Sequence, residues 1–360
     1  MLTVHTLTDG GRSPLETAKL VGAFLDGAER SLDLAQYDFH LAGETAELVG
    51  GAIRRAAARG VAVRMLFNVD HRNPIPVPPP PEPDARLIAS LHVPARAIAG
   101  VPDLMHHKYV VRDGEAVWTG SMNWTDDSFS RQENVIVVAR SADLAAAFTR
   151  NFDELWDDGV VERSGFVDST PLLVGDVAVR PWFTPGHGED LSARIARAIG
   201  RARRRVRICS PVITAAPVLA TLAEVISEGR IDVAGCVDLP QMRGVIHQWS
   251  VNGNLSWKLP LLRRVLAGEF SGKSSTPWRP EGSLHDFMHA KVTIADDVVF
   301  AGSFNLSRSG ERNAENVLEI ADAALAERLA TFVDEVRARY PRVPPDPSAT
   351  PTRSSKGASS

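Results

Sequence analysis

The chain has 360 residues, 44% of them hydrophobic and 23% charged, which excludes a disordered chain and leaves room for two domains of ordinary size. Its 44 acidic residues outnumber its 40 basic ones, a formal net charge of −4, so no global basic field exists to gather nucleic acid and any such binding needs a local patch. The opening stretch MLTVHTLTDGGRSP has neither a basic n-region nor an apolar h-region, and no apolar run approaches the ~20 residues that cross a bilayer, so a soluble, cytoplasmic protein without a transmembrane segment is expected.

Residues Ser13–Glu29 read as an amphipathic helix, with Leu15, Ala18, Val21, Phe24, Leu25 and Ala28 at helical spacing. Ser31–Phe39 reads as a strand, Gly43–Arg59 as a second helix and Val61–Phe67 as a buried strand, an order that implies a right-handed parallel unit. Asn73–Asp84, NPIPVPPPPEPD, is too rich in proline to donate to a ladder and is expected as an exposed loop. A short helix over Ala85–Leu91 follows. His106–Asn134 then reads as strand, turn at Asp113-Gly114, strand and polar loop, and Ala142–Trp156 as a closing helix. The order is then replayed: helix Asp190–Arg203, strand Arg205–Ser210, helix Pro217–Ser227, strand Ile231–Val237 and closing helix Ala321–Tyr340. Between the last two lie an insertion, Gln241–Phe270, and an expected loop, Ser271–Ser283. The Pro/Ser/Thr-rich end, from Pro341 on, is expected to be disordered. Cys209 and Cys236 sit in apolar strand-like runs and read as buried thiols, with no metal-ligand spacing around them.

The replay extends to single residues. His289, Lys291 and Asp296 match His106, Lys108 and Asp113 at an offset of 183 (289 − 106), and Ser303, Asn305, Glu315 and Asn316 match Ser121, Asn123, Glu133 and Asn134 at 182 (303 − 121). So long a period marks a duplicated domain, not a solenoid unit. Side chains two apart share a strand face, so His106 and Lys108 point one way and His107 the other.

H-x-K-x4-D followed by G-S-x-N and E-N, present twice, resembles the signature of the phospholipase D superfamily, and the two copies are most similar to its small nuclease and cardiolipin-hydrolase branch. The resemblance implies an α/β fold of two pseudo-twofold-related lobes, each a mixed β-sheet flanked by helices, with the active site at the lobe interface. Lobe 1 is expected over 1–163, lobe 2 over 164–342 and a disordered tail over 343–360. Cardiolipin synthases of the same superfamily usually carry membrane helices at the N-terminus, which this sequence does not suggest.

Cleaving a phosphodiester without metal needs a nucleophile, an acid for the leaving alkoxide and donors for the non-bridging oxygens. By resemblance His106 is the nucleophile that forms a phosphohistidine, and His289 the acid–base group. Lys108, Lys291, Asn123 and Asn305 would clamp the phosphoryl oxygens, with Ser121 and Ser303 nearby. Glu133 and Glu315 would each hold a histidine ring nitrogen. Asp113 and Asp296, at hairpin turns, read as structural. His107 and His285 read as bystanders, as do His71, His92, His187 and His247. No H-x3-H, C-x2-C or paired acidic cluster suggests a metal, and no cofactor is implied.

Two substrate classes fit. A phospholipid head group is favoured by the acidic balance and by Trp182, Trp249, Trp257 and Trp278, which could rest on a lipid interface; the competing reading of each is core packing. Nucleic acid, cut by a metal-independent endonuclease, is favoured by the G-S-M-N-W-T similarity and by the run Arg201, Arg203, Arg204, Arg205, Arg207, whose competing reading is a solvated helix end. A module that grips phosphate without cleaving it is the third class. Both half-sites lie in one chain, so a monomer is expected.

Overall fold

A computed structural model describes residues 1–70, 83–277 and 285–344. Most of the proline-rich loop, Trp278 and all but the first two residues of the expected 343–360 tail lie outside the described residues.

The first lobe runs β1 (Leu2–Leu7), α1 (Pro14–Asp26), β2 (Ser31–Gln36), β3 (Phe39–His40), α2 (Gly43–Ala58), β4 (Ala62–Val69), α3 (Ala85–Ser90), β5 (Ala95–Ala99), β6 (Lys108–Arg112), β7 (Ala116–Gly120), β8 (Trp124–Thr125), α4 (Asp126–Ser130), β9 (Asn134–Arg140) and α5 (Ala142–Asp158). The second runs β10 (Leu172–Val174), β11 (Val177–Thr184), α6 (Gly188–Arg201), β12 (Arg205–Cys209), α7 (Ala216–Glu228), β13 (Asp232–Asp238), α8 (Leu239–Val251), α9 (Leu259–Leu266), β14 (Glu269–Lys273), β15 (Val292–Ala295), β16 (Val298–Gly302), α10 (Arg308–Arg312), β17 (Glu315–Ala321) and α11 (Ala323–Arg339). Local chemistry sets several of these starts. At α1, Ser13 accepts from the Glu16 N–H, Glu16 accepts from the Ser13 N–H, and Pro14 opens the helix.

One sheet has the order β1-β9-β7-β6-β2-β4-β5 and the other β10-β11-β17-β16-β15-β12-β13-β14. Apart from the extra edge strand β10, the orders match position by position. In each, three parallel strands (β2, β4, β5; β12, β13, β14) join an antiparallel set. The duplication is therefore two mixed α/β lobes. Each lobe buries an apolar core of its own under its outer helices. A third core is shared: α5 gives Phe148 and Phe152, α11 gives Phe332 and Val333, and both sheets close on them.

The sequence reading missed β1, β5, β9, β11 and β17. The polar motif stretches end at Asn134 and Asn316, and the apolar residues after them, in NVIVVAR and ENVLEIA, form strands inside the sheets. Glu269–Lys273 is a strand where a loop was expected from Ser271 on. The chain is still ordered just past Pro341: Arg342 bridges Ser271, and Val343 is buried.

The two copies differ in one register. Gly302 of β16 lies opposite Val317, whereas Gly120 of β7 lies opposite Ile136, not Val135, its partner by sequence match. At the outer edge Thr184 faces Glu315, while Leu7 faces Asn134. Asn134 thus occupies in lobe 1 the place that Glu315 occupies in lobe 2. A one-residue slip sends each side chain to the opposite face. The motif glycines sit where this strand comes closest: a Cβ on Gly120 would lie 2.2 Å from the Val135 carbonyl oxygen, and one on Gly302 2.0 Å from that of Asn316.

At the far end of each lobe the motif aspartate clasps the preceding helix–strand corner. Asp113, at φ +58°, accepts from the backbone N–H groups of Glu29, Arg30 and Ser31, and Asp296, at φ +51°, from those of Arg203, Arg204 and Arg205. Partial burial works against the charged form of both, but the donated N–H groups prevail and hold both carboxyls below the usual range. Asp113→Ala and Asp296→Ala should each lower unfolding free energy by about 2 kcal/mol, read by urea denaturation. Because the folded pKa is depressed, this stability is present above the ordinary carboxylate pKa and fades as pH falls through the folded value. The difference between parent and variants should therefore shrink on acidification.

Candidate active site

The motif histidines sit just before β6 and β15, at the seam between the lobes. Two bridges between segments outside the sheets set the seam. Met105 pairs in parallel with Ala314, and the His106 N–H donates to the Ala314 carbonyl at 2.9 Å; Met288 pairs in parallel with Glu133. A side-chain acceptor at the end of each central parallel strand steadies these segments. The Met105 N–H donates to Asn68 Oδ1 at 2.9 Å and the Met288 N–H to Asp238 Oδ2 at 3.3 Å. Asn68 and Asp238 were not singled out in the sequence. Their only signal there is position, at the carboxyl ends of parallel strands, where α/β sites collect. Burial pushes the Asp238 carboxyl up to about 7.

His106, Lys108, His289 and Lys291 are all buried. The two half-sites repeat one contact: Lys108 Nζ donates to its own His106 carbonyl at 2.6 Å, and Lys291 Nζ to the His289 carbonyl at 2.8 Å. Burial lowers the Lys108 pKa to about 7, against the pull of Glu315 and Asp38. Burial also takes Lys291 well below its usual value, with Lys108 adding to the effect. His289 is likewise held well below its usual range, by burial first and then by Lys291, Lys108 and His106. The four groups therefore share one electrostatic environment.

The orienting partners are unequal. Glu315 Oε2 lies 2.8 Å from His106 Nδ1, and burial raises that carboxyl to about 7 against Lys108. His289 Nδ1 instead lies 3.2 Å from Asn134 Oδ1. Glu133, expected on a histidine, faces elsewhere: it takes Lys273 Nζ at 3.0 Å, the Tyr340 hydroxyl and the Asp9 N–H. Lys273 also reaches Asp9 at 3.2 Å. The slipped register explains the exchange, since bridging Met288 to Glu133 sets His289 against the next residue, Asn134. Lobe 1 offers no lysine like Lys273; its β5 reads ARAIA.

Ser121 Oγ donates to Asn134 Oδ1 at 2.7 Å, and Ser303 Oγ accepts the Asn316 N–H at 3.0 Å. Asn123 and Asn305 each bury an Oδ1 atom with no partner in the described structure, at matching places in the two half-sites. Tyr37 covers His106 edge-on at 4.5 Å and receives Lys108 Nζ over its face at 4.5 Å. His107 is buried on the other face, 3.3 Å from Asn316 Oδ1, and burial drives its pKa down to about 3. His285 stacks on Phe287, which leans on His289.

The surroundings bear on the substrate. Trp182 is buried and donates to Glu319, and Trp249 is buried under Lys258, so neither can rest on a lipid interface; Trp257 is 57% exposed. The basic run lies at the Asp296 end of the sheet, because Val206 pairs with Ala295 while Cys209 pairs with Val292 near the site. There Arg204 pairs with Asp297, Arg205 with Glu327 and Arg207 with Asp232 and Asp334. Among the described residues no helix is long and apolar enough to cross a membrane, and no three His, Cys, Asp or Glu gather as metal ligands would.

The family described as "Cardiolipin synthase, PLD-like domain" matches residues 21–156 and 195–337. A mitochondrial cardiolipin hydrolase of Xenopus laevis is 28% identical over 37% of this chain and 57% of its own length. A phospholipase D of Rickettsia conorii is 26% identical over 39% of this chain and 64% of its own length. The chain thus spans little more than half the length of these curated relatives. The crystal structure of a phosphatidylserine synthase from Haemophilus influenzae covers 93% of this chain and 86% of its own at a TM-score of 0.62 and 14% identity, a likeness of fold.

If Glu133 belongs to Lys273, their energies are coupled. Removing one member of a buried pair costs about 3–5 kcal/mol, so Lys273→Met and Glu133→Gln should each be strongly destabilising. In a double-mutant cycle read by chemical denaturation, the pair should fall short of additivity by about 2 kcal/mol or more. Additive losses would show that the two groups do not interact.

Proposed function

Because the chain belongs to the phospholipase D superfamily, we propose that it is a phosphoric diester hydrolase working through a covalent phosphohistidine, with phospholipid head groups as substrate. The observation that carries the reading is the pair of buried His–Lys half-sites, one from each lobe, drawn together by the Met105–Ala314 and Met288–Glu133 bridges. Lobes 1–163 and 164–342 would each supply a half-site, so one chain suffices as the active unit.

In the proposed reaction His106 attacks phosphorus in line, and the P–O bond to the leaving group breaks. His289, made cationic by a proton taken up as the anionic phosphodiester binds, gives its Nε2 proton to the departing alkoxide, then takes one from the water that hydrolyses the N–P bond. Glu315 fixes the His106 tautomer and offsets the positive charge its ring gains on phosphorylation. Lys108, Lys291, Asn123 and Asn305 hold the non-bridging oxygens, the work done by metal ions in two-metal phosphodiesterases. Ser121 and Ser303 support through β9 and β17. Asp113 and Asp296 act from a distance, by clasping the hairpins that carry the histidines.

Three observations favour lipid over nucleic acid. The relatives carry the names cardiolipin hydrolase and phospholipase D. Arg204, Arg205 and Arg207 are occupied by carboxylates at the end of the sheet away from the histidines, so they offer little to a polyanion. The helix that leads into the insertion carrying exposed Val251 and Trp257 is capped by Asp238, the residue that holds Met288, and so starts on the site side of the lobe.

Activity should survive EDTA. Full loss that Mg²⁺ or Zn²⁺ restores would sink the metal-free mechanism. His106→Ala and His289→Ala should each lose several orders of magnitude in kcat, on the order of 10³-fold or more, with the double variant hardly worse. A His289 variant should accumulate an acid-labile phosphoryl adduct on His106, detectable by mass spectrometry under alkaline handling; an adduct on His289 in the converse variant would reverse the roles. In parallel assays the protein should release head groups from phosphatidylcholine or cardiolipin faster than it cuts single-stranded DNA or RNA. His106-dependent nicking of nucleic acid with vesicles and micelles untouched would replace the lipid reading with an endonuclease.

A further inference from the structure

The hydrogen-bond accounting around His289 closes in one way. Asn134 Nδ2 lies 3.3 Å from the Ser128 carbonyl oxygen, which can only accept, and 3.1 Å from Ser128 Oγ. The amide nitrogen therefore faces Ser128, and Oδ1 faces the seam. There Oδ1 meets Ser121 Oγ at 2.7 Å and His289 Nδ1 at 3.2 Å. Ser121 Oγ accepts from the Val135 N–H at 3.1 Å, so its own proton is free for Oδ1. An amide oxygen with two donors around it requires a proton on His289 Nδ1, and Nε2 is left as the lone-pair nitrogen of the neutral ring.

We propose that Asn134 is the positioning residue of His289, and that Glu133, which the repeat marks for that task, serves Lys273 instead. The proposal rests on the phosphodiesterase reading for its kinetic consequences, but the geometry stands apart from it. The half-sites are unlike: a carboxylate backs His106 and a neutral amide backs His289. A ring backed by a carboxylate is favoured as it turns cationic, which suits the one that carries the phosphoryl group. A ring backed by an amide is less stabilised when cationic and gives up its proton more readily, which suits the one that shuttles protons. Among the described residues the charges that act most on His289 are those of Lys291, Lys108, His106 and His285, and the ring of Phe287 leans on it. Asn134 is thus the place where a single substitution changes the charge opposing His289.

Two variants and one spectrum test this. Asn134→Leu keeps the volume and removes the acceptor; kcat should fall about 10²-fold with little change in KM, as a misplaced acid–base group does. Asn134→Asp keeps an acceptor, so it should stay within about tenfold of the parent, while the alkaline limb of its kcat profile moves up by about one pH unit because a carboxylate now favours the imidazolium. Equal activities in the two variants, whether both intact or both dead, would overturn the proposal. In a ¹H–¹⁵N spectrum of the parent, His289 should be the Nδ1–H tautomer, with that proton protected from exchange. The Nε2–H tautomer would overturn the assignment of Asn134 even if the variants do not fold. The spectrum also reads out if no phosphodiester is turned over, which separates failure of this inference from failure of the functional reading.

Discussion

Two lysines and two histidines are taken out of water at one seam, where the Glu315 carboxylate bonds His106. Everything else in the structure has to tolerate that concentration of positive potential. Desolvation weakens the hold of Lys108, Lys291 and His289 on their protons, taking Lys108 down to about 7 and leaving His289 resistant to protonation. The free site thereby limits its own repulsion. On the proposed reading, a phosphodiester entering the seam would supply the missing negative charge, and each lysine would regain its proton affinity as the anion arrives. Binding and proton uptake are the same event on this view.

Holding such a seam together is a packing problem. The core shared by both lobes, with Phe148 and Phe152 from one helix and Phe332 and Val333 from the other, fixes the two sheets against each other. That burial offsets the desolvation of the site. The aspartates at the far hairpin turns tie β6–β7 and β15–β16 to the helices before them, so each histidine is carried on a strand anchored at both ends. The G-S motif admits glycine alone because the neighbouring strand's carbonyl stands where a Cβ would be.

The duplication, the α/β class and the members of the motif were legible because each depends on residue identity at fixed spacing. Period-two alternation placed His106 and Lys108 together, and the mismatch of His107 is visible in the same count. What was illegible depended on partners remote in sequence. Nothing near Trp182 announces that Glu319, on another strand, will receive its N–H, so core and interfacial readings of that indole both stay open in the sequence. The arginines of 201–207 looked like a patch because their carboxylates, at 232, 297, 327 and 334, are distant in the chain. NVIVVAR lacks the alternation of a half-exposed strand because it is buried in mid-sheet, where a continuous apolar run is the rule.

Glu133 fails for a deeper reason. Letter for letter it is the twin of Glu315, with the same residue after it and the same distance from the motif serine. Yet register belongs to a pair of strands, and Gly120 meets Ile136 where Gly302 meets Val317. One step of slip exchanges the faces, so the glutamate of one copy bonds histidine and that of the other bonds lysine. The choice between them turns on Lys273, a residue outside both motifs that only the second lobe supplies. A buried carboxylate needs a cation or several donors. Glu133 finds Lys273, the Tyr340 hydroxyl and a backbone N–H, while Glu315 has the histidine and Asn313. Identical motif letters thus build chemically unlike halves, and the proposed two-step reaction, which asks different things of its two histidines, would be better served by that inequality than by perfect symmetry.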